Sequence, residues 1–251
     1  MESKVAVVTS AGAGIGAAIA TRLARDGCVV VAADIKEQAA GDTAKRLNAE
    51  GLQVWPLAMD VGEAGSIAAG FAGLEKRYGR CDILVNNAGV GRAFPFLDYP
   101  LDDWQRTMAV NVTGAMLCGQ HAARMMKERG WGRIVNVASA SGFRASLLRT
   151  AYGTSKAAVI GLTRQMAVEL APLGITANAI APGPVETPLT REFHSDVMRR
   201  NLIRGIPVGR YGTPEEMAGM VSFLASEDAS YVNGQTFSVD GGLTAAGVLE
   251  I

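Results

Sequence analysis

VAVVTSAGAGIGAAIATRLARDGCVVVAAD, residues 5–34, is the stretch on which the fold turns. Val5–Thr9 is a short apolar run, as expected of a strand buried on both faces. A glycine-rich turn carries it directly into Gly14–Arg25, an amphipathic segment of helical period. Cys28–Ala33 is a second apolar run and ends at Asp34. Strand, tight turn, helix and strand in one short stretch make a right-handed crossover with two parallel strands.

The same alternation continues outward. Val54–Ala58, Ile83–Asn86, Arg133–Ala138, Thr176–Ile180 and Gln235–Val239 read as further strands. Glu37–Asn48, Gly65–Tyr78, Asp102–Arg129, Tyr152–Leu170 and Pro214–Ala225 read as helices between them. The expected fold class is α/β: a doubly wound, mostly parallel sheet with helices on both faces. No linker, repeat or low-complexity segment interrupts residues 1–251, which are therefore expected to form one domain. One segment departs from the rhythm. Ala181-Pro182-Gly183-Pro184 forces an extended turn, and Pro188–Gly209 then carries Phe193, Val197, Leu202 and Ile206 at near-helical spacing. Lying above the strand ends, it is either a substrate lid or an ordinary surface insertion.

Composition narrows the partners. Apolar residues are 49% of the chain and aromatics 6%, so small aliphatic side chains carry the core. Twenty-four basic residues balance twenty-four acidic ones, which leaves no nucleic-acid footprint and favours a small-molecule partner. Cys28, Cys81 and Cys118 have neither Cys-x-x-Cys nor metal-ligand spacing, so no metal and no disulfide framework is expected. Met1–Lys4 leads straight into a strand rather than a signal peptide, and no apolar run reaches the roughly 20 residues that span a bilayer. A cytoplasmic setting without membrane contact is the expectation.

Thr9-Ser10-Ala11-Gly12-Ala13-Gly14-Ile15-Gly16 lies at the first strand–helix junction, where glycines let backbone approach a pyrophosphate at a helix N-terminus. Such turns also serve plain packing. Asp34, at the end of the second strand, suits the adenosine ribose hydroxyls and would repel a 2′-phosphate, which favours NAD; its alternative role is a helix N-cap. Asp60-Val61 after the third strand is placed to meet adenine. In Asn86-Asn87-Ala88-Gly89 after the fourth, Asn86 or its backbone is placed to hold the loops beneath the cofactor.

Tyr152 and Lys156, four apart on a helix, share one face. A free tyrosine is a poor base at neutral pH, and a neighbouring ammonium favours its phenolate. Taken with Asn111, Ser139, the glycine turn, Asn86-Asn87-Ala88-Gly89 and Pro182-Gly183, the order and spacing resemble the short-chain dehydrogenase/reductase family over nearly the whole chain. The resemblance implies a Rossmann-type sheet of seven parallel strands in the order 3-2-1-4-5-6-7, and a homo-oligomer, most often a tetramer. It implies Tyr152 as the acid/base of hydride transfer between an alcohol and a carbonyl. It implies Ser139 on the reacting oxygen (with Ser141 and Ser155 as neighbouring rivals), Lys156 on the nicotinamide ribose, and Asn111 fixing a proton-relay water. Pro182, Gly183, Val185 and Thr187 are then the segment packed on the nicotinamide. The helices Asp102–Arg129 and Tyr152–Leu170 are the implied main oligomer contact, with Gly241–Ile251 as a second.

The match departs from the family at Ser10, where a glycine is usual. No basic residue stands in Ser10–Ala13, although Lys36 follows Asp34. Phe94, Phe96, Phe143, Leu147, Leu148, Leu189 and Phe193 are the expected pocket walls, and Arg144 and Arg149 either greet a substrate anion or are solvated. Polyols, sugars and small secondary alcohols are the broadest fit. The alternative is a 3-oxoacyl-acyl-carrier-protein reductase, a type that prefers NADPH; Arg129 suits it, while Asp34 and Leu173, where those enzymes tend to have arginine, do not. A remote alternative is a nucleotide-sensing protein without chemistry, against which the intact tyrosine and lysine speak.

Overall fold

A computed structural model describes residues 3–247, without the side chain of Phe193. Its seven parallel strands are β1 (Val5–Thr9), β2 (Val29–Asp34), β3 (Val54–Ala58), β4 (Ile83–Asn86), β5 (Gly132–Val137), β6 (Ile175–Pro182) and β7 (Thr236–Val239), in the order β3-β2-β1-β4-β5-β6-β7. Period-two side-chain alternation sorts each strand between two cores. Ala6, Val8, Val30, Ala32, Ile83 and Val85 face α1 (Gly14–Arg25), α2 (Glu37–Ala49) and α9 (Pro214–Leu224). Val5, Val7, Val31, Leu84 and Ile134 face α3 (Ala64–Tyr78), α5 (Gly114–Lys127) and α6 (Thr150–Leu170). Pro56, which cannot donate to a ladder, sits in the edge strand β3. Because all strands point the same way, Thr9, Asp34, Ala58, Asn86, Val137 and Pro182 end at one rim.

Two features go beyond the periodicity. The helix expected over Asp102–Arg129 is broken into α4 (Leu101–Met108), a π turn over Ala109–Thr113, and α5. The wider turn carries Asn111 inward until it is 2% exposed. Gly114 closes the turn against the loop after β3, where a Cβ would lie 2.4 Å from the Val61 carbonyl oxygen. The second feature is the excursion after β6, which folds as α7 (Pro188–Phe193) and α8 (Asp196–Arg204). Thr187 starts α7 with a reciprocal cap to Thr190, and Pro188 occupies the first helical position. Among the described residues no helix is long and apolar enough to cross a membrane. Residues 248–251 of the segment expected to support a second contact lie outside those described.

Candidate active site

The glycine turn is shaped by close approaches. A Cβ on Gly16 would lie 2.0 Å from the Ser10 carbonyl oxygen, so α1 can abut the turn only with glycine there. Ser10 has φ +52°, in the left-handed region, which accounts for the glycine usual at this position. Ala13, the N-cap of α1, offers no side-chain acceptor, and the first-turn amides of α1 therefore have no capping side chain. Such a helix end suits an anion.

Asp34 is buried under the turn. Its Oδ2 accepts from Gly12 N at 3.0 Å and its Oδ1 from Lys36 N at 2.9 Å. The N-cap of α2 is Lys36, so Asp34 does not cap that helix. Asp60 folds its own loop, with Oδ1 accepting from Gly62 N at 2.8 Å, and Val61 follows it against Gly114.

Adjacent residues at the end of β4 point to different tasks. Asn86 donates to the Ala115 carbonyl at 3.1 Å and to Asn136 Oδ1 at 2.9 Å, tying β4 to α5 and β5 in the interior. Asn87 is the one that holds the turn: its Nδ2 donates to the Thr9 and Ser10 carbonyls at 3.0 and 3.2 Å. Thr9 Oγ1 in turn accepts from the amides of Asn87 and Ala88, at 2.9 and 3.0 Å. The sequence points to Asn86 or its backbone for this loop, and the structure gives the task to Asn87. Strand alternation, which sends neighbours to opposite faces, was the available signal.

Tyr152 and Lys156 sit one turn apart on α6, with Lys156 Nζ 5.7 Å from the centre of the phenol ring. Lys156 is 4% exposed and donates to the Val137 carbonyl at 2.7 Å. Burial lowers its pKa below the ordinary lysine value, and the Tyr152 charge opposes that shift. A Cβ on Gly89 would come within 3.2 Å of Lys156 Nζ and 3.5 Å of Asn111 Oδ1, so the three share one small space. Asn111 grips the Val90 backbone at both ends, accepting from its N–H and donating to its carbonyl, each at 2.8 Å. Its other Nδ2 hydrogen goes to Ser155 Oγ at 2.9 Å, and Ser155 donates to the Tyr152 carbonyl at 2.7 Å. Ser139 lies past the end of β5 with its Oγ accepting from Ser141 N at 3.1 Å. Of its sequence rivals, Ser155 is fully buried inside this network. Gly91, which sequence reading did not single out, packs on the phenol so closely that a Cβ would lie 2.6 Å from Tyr152 Cδ2.

Across the crevice, Pro182 ends β6 and Gly183 donates to the Val239 carbonyl at 3.1 Å. Val185 is buried and bridges to Gly212. A Cβ on Gly14 would stand 3.4 Å from the Thr187 methyl, so the glycine turn and the base of the lid lie side by side. At the mouth, the Arg149 guanidinium lies 4.5 Å over the Tyr152 ring. Arg144 instead donates to the Leu243 carbonyl at 2.7 Å. His194 Nδ1 meets Tyr211 Oη at 2.9 Å, and Arg199 stacks on the Tyr211 ring while pairing with Glu186. Burial, then the Arg149 and Arg199 charges, lower the His194 pKa, so its imidazole is neutral at pH 7. Phe94 is half-buried against Tyr99, whereas Phe96, Phe143, Leu147, Leu148 and Leu189 are exposed.

Residues 10–244 match a family model described as enoyl-(acyl carrier protein) reductase. The chain is 39% identical over 244 residues to a 3-oxoacyl-[acyl-carrier-protein] reductase of Aquifex aeolicus, covering 97% of this chain and 98% of that protein. It is 41% identical over 243 residues to cis-4-hydroxycyclohexanecarboxylate dehydrogenase of Sinomonas cyclohexanicum, with 96% and 97% covered. The crystal structure of a gluconate 5-dehydrogenase from Burkholderia cenocepacia, in complex with NADP and tartrate, superposes with a TM-score of 0.94. The two are 38% identical, over 98% of this chain and 97% of that one. With this fold, this rim and these relatives, the chain belongs to the short-chain dehydrogenase/reductase family, oxidoreductases that work with a nicotinamide cofactor on small molecules.

Proposed function

We propose that this chain is an NAD(H)-dependent oxidoreductase that interconverts a secondary alcohol (a polyol, sugar or small hydroxy compound) and its ketone. The observation that carries the reading is Tyr152 with buried Lys156 one turn away, at the rim where all the strands end.

The residues present fit a dinucleotide. The uncapped start of α1 and the glycine turn it abuts are a cradle for a pyrophosphate, formed by Ser10, Gly12, Gly14, Ile15 and Gly16. Asp34 holds the adenosine ribose, and its charge works against a 2′-phosphate. Asp60 and Val61 take adenine, and Ala88 and Gly89 form the floor, which Asn86 braces from the interior. Pro182, Gly183, Val185 and Thr187 orient the nicotinamide. The bound dinucleotide supplies the hydride acceptor in oxidation and the donor in reduction.

In oxidation Tyr152 Oη takes the hydroxyl proton as the carbinol hydrogen leaves as hydride; in reduction it returns the proton to the carbonyl oxygen. Ser139 donates to the reacting oxygen as charge develops there. Lys156 holds the nicotinamide ribose, and Asn111 serves the proton path behind it. Hydroxy-acid enzymes among the relatives, the gluconate and hydroxycyclohexanecarboxylate dehydrogenases, support a small hydroxy compound as substrate. We assign residues 1–251 to one domain with a lid at 188–209, working as a homotetramer in the cytoplasm, where the three unpaired thiols suit a reducing setting.

The second reading is an NADPH-dependent 3-oxoacyl-acyl-carrier-protein reductase, favoured by the names of several relatives. Reduced-nicotinamide formation over a panel of polyols, sugars, secondary alcohols and hydroxy acids, with NAD⁺ and with NADP⁺, separates the two. Turnover with NAD⁺, reduced about 10²-fold or more in Tyr152→Phe, is the expected result. A preference for NADP⁺, with reduction of 3-oxoacyl thioesters, gives the second reading first place.

A further inference from the structure

The lid and the loop before α6 bring an unpaired cation onto the proposed acid/base. Arg149 is half-buried, with its guanidinium carbon over the Tyr152 ring, 4.5 Å from its centre. Among the described residues no carboxylate lies within ion-pair distance of it, while the acids around the mouth are already engaged. Asp103 accepts from Tyr99 Oη at 3.0 Å and pairs with Arg92 at 3.7 Å. Glu186 pairs with Arg199 and, at 3.8 Å, with Arg191. The other arginine of this loop, Arg144, is turned outward to the Leu243 carbonyl. A half-buried guanidinium facing no anion of its own chain is a planar, multi-donor receptor for one.

We propose that the substrate is a short hydroxy acid whose carboxylate binds Arg149 while its carbinol faces Tyr152. This rests on the alcohol–ketone reading above and names its substrate class. With the guanidinium 4.5 Å from the centre of the phenol ring, a carboxylate bound to it would stand only a few bonds from a carbinol at Tyr152 Oη. A long acyl chain on a carrier has no use for a cation at that point. The planar fork of a guanidinium matches the two oxygens of a carboxylate. His194 and Tyr211, joined at 2.9 Å, close the lid side with neutral polar groups that suit further hydroxyls.

The test compares lactate, glycerate, tartrate and gluconate, each with its own primary amide, and glycerate with glycerol phosphate. Turnover is measured on wild type, Arg149→Gln and Arg149→Lys, and binding by calorimetry on the cofactor-loaded Tyr152→Phe protein with and without Arg149→Gln. At least one acid is expected to exceed its amide by about tenfold or more in kcat/KM and in affinity. That ratio falls toward one in Arg149→Gln, mainly through KM, and is partly kept in Arg149→Lys. If no acid binds better than its amide, the proposal is overturned. So it is if Arg149→Gln weakens acid and amide alike, which marks Arg149 as a prop for the Tyr152 ring, or if the phosphate ester is preferred. Acid-selective binding without turnover would sink the alcohol–ketone reading and the substrate assignment with it, leaving Arg149 only as a carboxylate-binding group. Tyr152-dependent turnover without acid selectivity would keep the alcohol–ketone reading and overturn the role of Arg149.

Discussion

Lys156 shows what the site costs the fold. Its ammonium is 4% exposed, and within hydrogen-bonding distance it has the Val137 carbonyl and no carboxylate among the described residues. Burial therefore lowers its pKa, so between that lowered value and the ordinary lysine value the unfolded chain binds more protons than the folded one. Stability of the cofactor-free protein rises with pH across that window and is penalised below it. Lys156→Met removes the penalty. Urea denaturation at a series of pH values is expected to show wild type gaining on the variant as pH rises toward the lysine range, and a constant difference would mean the charge is not penalised. Ser10 is a second local compromise. Left-handed backbone costs a residue with a Cβ about 1–2 kcal/mol, and glycine returns about 0.4–1 kcal/mol of that through its freer unfolded state. Ser10→Gly is thus expected to stabilise the chain by about 0.5 kcal/mol, seen as a higher urea midpoint at unchanged slope. A lower midpoint would show that the Ser10 side chain makes a compensating contact.

Between Asp102 and Arg129 the chain looks like one unbroken helix, yet the element that matters is the π turn inside it. A one-residue widening shifts hydrophobic periodicity too little to be read, and it is what places Asn111 on both ends of the Val90 peptide. That grip fixes the 89–91 loop, and Gly91 in that loop packs on Tyr152. Deleting Val112 lets the segment close as a regular α-helix with the flanking turns in register. The variant is expected to fold, with unchanged helical circular dichroism, and to lose about tenfold or more in kcat as the loop is released from Asn111. Undiminished kcat would disconnect the turn from the site. Most other elements were legible, because seven apolar runs alternating with amphipathic ones leave few ways to bury both faces of a sheet. The site was legible wherever a residue type and its spacing carry the chemistry, as with Tyr152 and Lys156. It was not legible where neighbours of one type divide the work, as Asn86 and Asn87 do, or where packing alone gives a residue its place, as with Gly91 and Ser155. Nor does sequence tell a receptor arginine from one bonded elsewhere: Arg144 and Arg149 read alike until Leu243 is seen to hold the first.

On the scale of the whole molecule, the parallel sheet gathers every candidate residue at one rim and leaves the outer faces of α5 and α6 for other uses. The exposed face of α6 carries Ala157, Gly161, Arg164, Gln165 and Val168, with Val168 76% exposed. Ala157, Gly161 and Val168 share one row of the helix with Arg164, and the small side chains at 157 and 161 let a second copy's helix approach closely there. Gly161 tests the proposed tetramer cleanly because nothing in the protomer lies within 4 Å of a Cβ placed there. In an isolated protomer Gly161→Arg therefore meets no clash, and exchanging glycine for a good helix former favours α6 by about 0.7 kcal/mol. In an assembly packed through α6, the same side chain forces a charge into the interface. Light scattering on the wild type is expected to give four times the chain mass, and Gly161→Arg a smaller species that keeps its far-ultraviolet circular dichroism. A tetramer that tolerates Gly161→Arg would place its contacts elsewhere. A wild type that already runs as a monomer would mean that one chain carries the whole site, lid included.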